Sequence, residues 1–169
     1  MDKYIRKFNE ITIADMASVG GKNASLGEMF SKLSQKGIAV PDGFATTAFA
    51  FEEFLTHNSL QVPLLELMKQ IDRKNFSNLK ETGAKARKLI QESEIPNDLV
   101  LAIIKAYKIL CHNNYFEVAV RSSATAEDLP QASFAGQHES YLNIKGEEAL
   151  IGAIKKCFTS LYTDRAIKY

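Results

Sequence analysis

The sequence predicts an α+β fold: helices packed on a small, mainly antiparallel sheet. Three observations predict it. Apolar residues recur at helical spacing through most of the 169-residue chain. Two stretches, 116–123 and 133–144, alternate like antiparallel partners. Apolar residues make up 46% and charged residues 24%, enough to build a core with helices from both halves of the chain around that sheet.

The elements follow in order. "YIRKFNEITIADMASVGG" holds short alternating apolar pieces and then a turn at Gly20-Gly21. From Lys22 the spacing becomes helical, with Leu26, Met29, Phe30 and Leu33 on one stripe and Gly37 at the helix end. "IAVPDGFATT" reads as a short strand, a Pro-Asp-Gly turn and another extended piece. Thr46 or Thr47 then caps the helix "AFAFEEFLTHN", with a glutamate about three residues on.

Three helices fill the middle. One runs from Leu64 to Asp72. A second is marked by Phe76, Leu79, Ala86 and Ile90 and ends before Pro96. The third is capped by Asn97 or Asp98 and carries Val100, Ile103, Ile104, Tyr107 and Cys111 on its apolar stripe. "YFEVAVRSS" is a strand and "SFAGQHESYLNI" its partner, joined by a loop too long for a tight hairpin, as functional loops are. After Gly146, Glu147 and Glu148 suit a helix N-terminus, and Leu150, Ile154, Phe158 and Leu161 form its buried stripe.

Bulk properties exclude several classes. A net charge of +1 gives no polyelectrolyte basis for binding nucleic acid or an anionic membrane, so any anion site is local. No apolar run approaches membrane-spanning length, the N-terminus lacks a signal-peptide core, and the expected compartment is the cytoplasm. Cys111 and Cys157 lie on apolar faces and read as reduced, buried thiols; with His57, His112 and His138 they make no zinc spacing.

Two cations have reason to need an anion. Lys22 follows a diglycine and opens a helix, where a positive charge opposes the helix dipole at a cost of about 0.3–1 kcal/mol. Glycines there free the backbone to approach a ligand, although "GGKNAS" is not a Walker A loop. The pattern fits a phosphate site and a solvated lysine equally.

Arg121 ends an apolar strand, where partial desolvation calls for an acceptor, and its planar fork suits phosphate oxygens. A salt bridge to Glu127 or Asp128 is the competing reading. It leaves unexplained the loop of small residues that follows, in which Ser122, Ser123, Gly136 and Ser140 offer hydroxyl and N–H donors without blocking access. His138 has no nucleophile or orienting partner, so no catalytic residue is assigned, and Glu127, Asp128 and Glu139 have no spacing that selects magnesium.

"VGGKNASLGEMF", "VPDGFATTAFAF", "VAVRSSATAEDLPQASFAGQHESYLNI" and "SLYTDRAIKY" together resemble the phosphoenolpyruvate synthases (pyruvate, water dikinases), in the right order and over the whole chain. The "RSSATAEDLP" and "ASFAGQ" segments belong to an ATP-binding domain that this family shares with pyruvate, phosphate dikinase and the rifampin phosphotransferases. The resemblance implies that residues 1–169 are an N-terminal subdomain, the first part of an ATP-grasp domain in a much longer multidomain enzyme. In such an enzyme ATP phosphorylates a histidine on a swivelling domain, releasing AMP and phosphate, and the phosphohistidine converts pyruvate to phosphoenolpyruvate in a third domain.

By resemblance, Lys22 and Arg121 hold ATP phosphates, Gly136 and Ser140 lie on the loop that covers them, and Ser122 and Ser123 belong to the same phosphate loop. His138 stands where the family commonly has glutamine. The adenine pocket, the Mg2+ ligands, the acceptor histidine and the pyruvate site are expected outside this chain. Alone, it is therefore expected to be inactive and to bind nucleotide weakly if at all. An antibiotic phosphotransferase built on the same ATP module, and a non-catalytic nucleotide or anion sensor, are the alternatives; a reading frame continuing for several hundred residues past Tyr169 is the expectation that argues against the sensor.

Overall fold

The computed structural model describes residues 2–123 and 139–168. The Asp2 carboxylate accepts hydrogen bonds from the amides of Tyr4 and Ile5 at 2.8 and 3.2 Å, which starts the chain extended. Strand β1 (Ile5–Lys7) then pairs antiparallel with β2 (Phe44–Thr46), with Ile5 opposite Thr46 and Lys7 opposite Phe44. Two 3-10 turns, Phe8–Glu10 and Ile13–Asp15, lead into a single helical turn, α1 (Met16–Val19), and then into α2 (Gly21–Ser34).

Helix α2 corrects the expected apolar stripe. Its buried residues are Gly21, Ala24 and Gly27, while Leu26 and Phe30 are partly buried and Met29 is 41% exposed. The reason is close approach. Ile11 is fully buried where Gly27 has no side chain, and a Cβ on Gly27 would stand 2.6 Å from the Ile11 Cβ. The small face of the helix therefore does the packing. Gly37, at φ +75°, leads the chain out of the turn after the helix. The strand expected around Ile38 does not form; Ile38 is 52% exposed in irregular chain.

Helix α3 (Ala48–His57) is capped as expected by Thr47, whose Oγ1 accepts from the Ala50 amide at 3.2 Å and donates to the Lys3 carbonyl at 2.7 Å. No reciprocal glutamate completes a capping box, because Ala50 occupies the third helical position. Helix α4 (Gln61–Lys69) begins before the expected Leu64. Helix α5 (Leu79–Glu92) excludes Phe76, whose φ of +56° lies in the left-handed region. Helix α6 (Asn97–Leu110) is entered through Pro96, with no side-chain cap from Asn97 or Asp98. Helices α7 (Glu147–Ser160) and α8 (Asp164–Lys168) close the chain, α8 tied to α5 by an Arg87–Asp164 pair at 2.8 Å.

The core lies where α3, α5, α6 and α7 meet, with Phe54, Ile90, Leu99, Ile103 and Tyr107 fully shielded. Phe158 of α7 reaches Phe51 and Phe54 of α3 with ring centroids 5.0 and 5.3 Å apart. Each such apolar side chain contributes about 1.5–3 kcal/mol by leaving water.

Strands β3 (Val118–Arg121) and β4 (Ser140–Ile144) pair antiparallel, with Val118 opposite Ile144, Val120 opposite Tyr141 and Arg121 opposite Ser140. The register shifts between Val118 and Val120. The α+β class holds. The expected single sheet is, among the described residues, two separate two-stranded sheets. Strand β3 starts two positions later than the expected 116, and residues 133–138 of its expected partner lie outside the described residues.

Candidate phosphate-binding site

Gly20 links α1 to α2 with φ +79° and ψ 160°, a conformation that side-chain-bearing residues avoid. Its amide donates to the Met16 carbonyl at 2.8 Å, and its carbonyl accepts from the Ala24 amide at 3.0 Å. One helix thus ends and the next begins at a single residue. The first amides of α2 have no partner within the helix. The Asn23 amide finds one in the Ser123 hydroxyl at 3.4 Å, from a residue one hundred positions away. The Asn23 side chain turns back and donates from Nδ2 to the Val19 carbonyl at 2.8 Å.

Ser123 lies so close to Gly20 that a Cβ there would stand 2.3 Å from the Ser123 Oγ and 2.7 Å from its carbonyl oxygen. The absence of a side chain at position 20 is what lets the two segments meet. The ladder supplies the other half. Ser122, 5% exposed, donates its amide to the Glu139 carbonyl at 3.3 Å, carrying the β3–β4 pairing one step further. Arg121 donates from Nε to the Ser140 Oγ at 3.1 Å.

Tyrosines fix the base of this hairpin. Tyr107 is fully buried, and its hydroxyl donates to the Phe116 carbonyl at 2.9 Å while accepting from the Gly146 amide at 3.1 Å. One oxygen on α6 therefore holds the chain entering β3 and the chain leaving β4. Tyr115 stacks on Tyr107 at 5.2 Å between centroids and donates its hydroxyl to the Glu147 carboxylate. Lys108 reaches the same carboxylate at 3.0 Å. The Tyr115 hydroxyl and Lys108 hold Glu147 below the usual glutamate range, and Glu147 in turn raises Tyr115 and Lys108.

A cavity of about 620 Å³ opens between these parts. Val19, Asn23 and Leu26 line it from the α1–α2 side, Phe44–Thr46 from β2, Val118–Ser123 from β3 and its continuation, and Leu150, Ile154 and Cys157 from α7. The wall is mainly apolar, and the planar Arg121 guanidinium is a cation on it. Burial, with Glu139 adding to it, pushes the Cys157 thiol up to about 12, so this wall residue is an inert apolar group at neutral pH.

The expected site residues divide. Arg121, Ser122, Ser123 and Ser140 come together at the end of β3, and Arg121, Ser122 and Ser123 line the cavity. Arg121 is exposed, in contrast to the partial desolvation expected of it. Lys22 is half-buried in the first turn of α2, beside Asn23, and is not on the cavity wall. Gly136, His138, Glu127 and Asp128 lie outside the described residues. Gly20 and Asn23 were not foreseen as site residues. The diglycine marked the turn, but its contact with Ser123 left no local signal.

Among the described residues no group of three or more histidines, cysteines, aspartates or glutamates is placed to hold a metal ion, and no helix is long and apolar enough to cross a membrane. Residues 16–169 match the family model of the pyruvate phosphate dikinase AMP/ATP-binding domain. Curated relatives include the phosphoenolpyruvate synthase of Synechocystis sp., 47% identical, with 96% of this chain and 21% of that protein covered. That of Helicobacter pylori is 48% identical over 99% of this chain and 21% of its own length. That of Escherichia coli is 45% identical over 96% and 21% respectively. The chain spans about a fifth of the length of these relatives. It belongs to the pyruvate phosphate dikinase AMP/ATP-binding domain family.

Proposed function

We propose that this chain is the first part of the ATP-binding domain of a phosphoenolpyruvate synthase, a cytoplasmic phosphotransferase that makes phosphoenolpyruvate, AMP and phosphate from ATP, pyruvate and water. The family match and the names of the relatives support the enzyme class and favour it over an antibiotic phosphotransferase or a sensor. The observation that carries the site is the meeting of the first turn of α2 with the end of β3, through the Asn23 amide and the Ser123 hydroxyl. That meeting brings a helix N-terminus bearing Lys22 next to a strand end bearing Arg121.

In this reading Lys22 and Arg121 neutralise ATP phosphate oxygens. Gly136 belongs to the loop that covers them, with Ser122, just past β3, and Ser140, the first residue of β4, flanking that loop. Phosphoryl transfer asks the protein mainly for positioning and charge neutralisation, which is what fixed cations and small-residue donors supply. Mg2+, whose ligands belong to the rest of the polypeptide, would add further charge neutralisation when bound. The swivelling phosphohistidine domain and the pyruvate domain are the partners within the same full-length chain, and the product serves gluconeogenesis.

Arg121→Ala in the full-length protein is expected to abolish measurable turnover while leaving the circular-dichroism spectrum intact. Retained turnover, or a collapsed spectrum, would remove Arg121 from the assigned role. Residues 1–169 alone are expected to show little or no heat of MgATP binding in a titration; sub-micromolar affinity would show that the remainder of the domain is dispensable.

A further inference from the structure

Three facts about the α2–β3 meeting point call for a common explanation. Gly20 adopts a positive φ and sits where any Cβ would strike Ser123 in both its hydroxyl and its main chain. The Asn23 amide, one of the donors a helix start leaves without an intrahelical partner, is satisfied by the Ser123 hydroxyl. Ser123 is two residues beyond Arg121, and Asn23 is the residue after Lys22.

We propose that Gly20 and Ser123 are positioning residues that join the two cation-bearing segments into one unit, the Ser123 hydroxyl serving the first turn of α2 and not the nucleotide. The inference rests on the phosphate-binding reading above and reassigns Ser123 within it. A serine hydroxyl with one acceptor position committed to Asn23 holds the end of β3 at a fixed distance from the helix start. Gly20 keeps that approach open. In that reading the segments that bear Lys22 and Arg121 are already joined before a polyphosphate arrives, so less ordering is left to be done on binding.

The test uses the full-length protein carrying Ser123→Ala, Ser123→Cys or Gly20→Ala, with two readouts. The first is hydrogen exchange of the Asn23 amide without nucleotide. The second is the KM for ATP against the KM for pyruvate. Ser123→Ala is expected to speed Asn23 exchange and to raise the ATP KM about threefold to tenfold, the effect of losing one ordinary neutral hydrogen bond. The pyruvate KM should not move. Ser123→Cys, close in shape but a weaker acceptor, should fall between alanine and serine, and Gly20→Ala should reproduce the alanine phenotype by pushing the segments apart.

A raised ATP KM with unchanged Asn23 exchange in the nucleotide-free protein would make Ser123 a direct ligand and overturn the joint. Faster exchange with an unchanged ATP KM would overturn it as well, since the contact would then do nothing for binding. If Ser123→Ala does not fold, the same two outcomes are read from Ser123→Cys. Failure of the broader reading shows up separately, as full turnover in Arg121→Ala.

Discussion

At the scale of single residues, burial and partners decide which groups are free to react. Cys157 lines the cavity next to the end of β3, yet it is 7% exposed and its thiol is pushed up to about 12. Cys111, at the end of α6, is 1% exposed. Both should resist a thiol reagent at pH 8 in the native protein and react fully once it is denatured. Rapid stoichiometric labelling of the native chain would mean that the wall around Cys157 opens far more readily than its packing implies. Arg121 is the opposite case. It is exposed and fixed by Ser140, a cation held in place but within reach of solvent and solutes.

At the scale of elements, the hairpin carrying Arg121 depends on a hydroxyl from another helix. Tyr107→Phe keeps the ring and removes the oxygen that bridges the Phe116 carbonyl and the Gly146 amide. Leaving those groups unsatisfied should cost about 1–3 kcal/mol in denaturant unfolding, with little change in secondary structure. A cost near zero would show that other groups anchor the base of the hairpin.

The same elements show where sequence was informative. Leu150, Ile154 and Phe158 of the expected α7 stripe were legible because large apolar side chains at helical spacing face the core, while Leu161 falls just past the helix end and is only partly buried. The Thr47 cap was legible because its partner lies three residues away. Helix α2 misled because its packing face is made of Gly21, Ala24 and Gly27, which pattern-reading treats as neutral, while Met29 stays largely outside. The contact of Asn23 with Ser123 spans one hundred residues, and nothing local to either residue encodes it.

At the scale of the molecule, the described residues form two small sheets, each packed against helices. Ala45 of β2 packs in one cluster with Val19 of α1 and Ala24 of α2, and Tyr107 of α6 and Leu150 and Ile154 of α7 pack in another with Val120 of β3. Two-stranded sheets of this size are marginal alone, so their geometry is borrowed from the helical core. The family match runs through almost all of these elements, from residue 16 to residue 169. The proposed function rests on their arrangement: the start of α2, which bears Lys22, meets the chain just past the end of β3, which bears Arg121.

The most direct test is equilibrium binding of MgATP and of AMP to the full-length protein, wild type against Lys22→Ala and Arg121→Ala. Charge-assisted contacts to phosphate are worth about 1.5–3 kcal/mol, so each variant should bind MgATP at least about tenfold more weakly while AMP, lacking the outer phosphates, is much less affected. Wild-type MgATP affinity in either variant, or an equal loss for both nucleotides, would contradict the account.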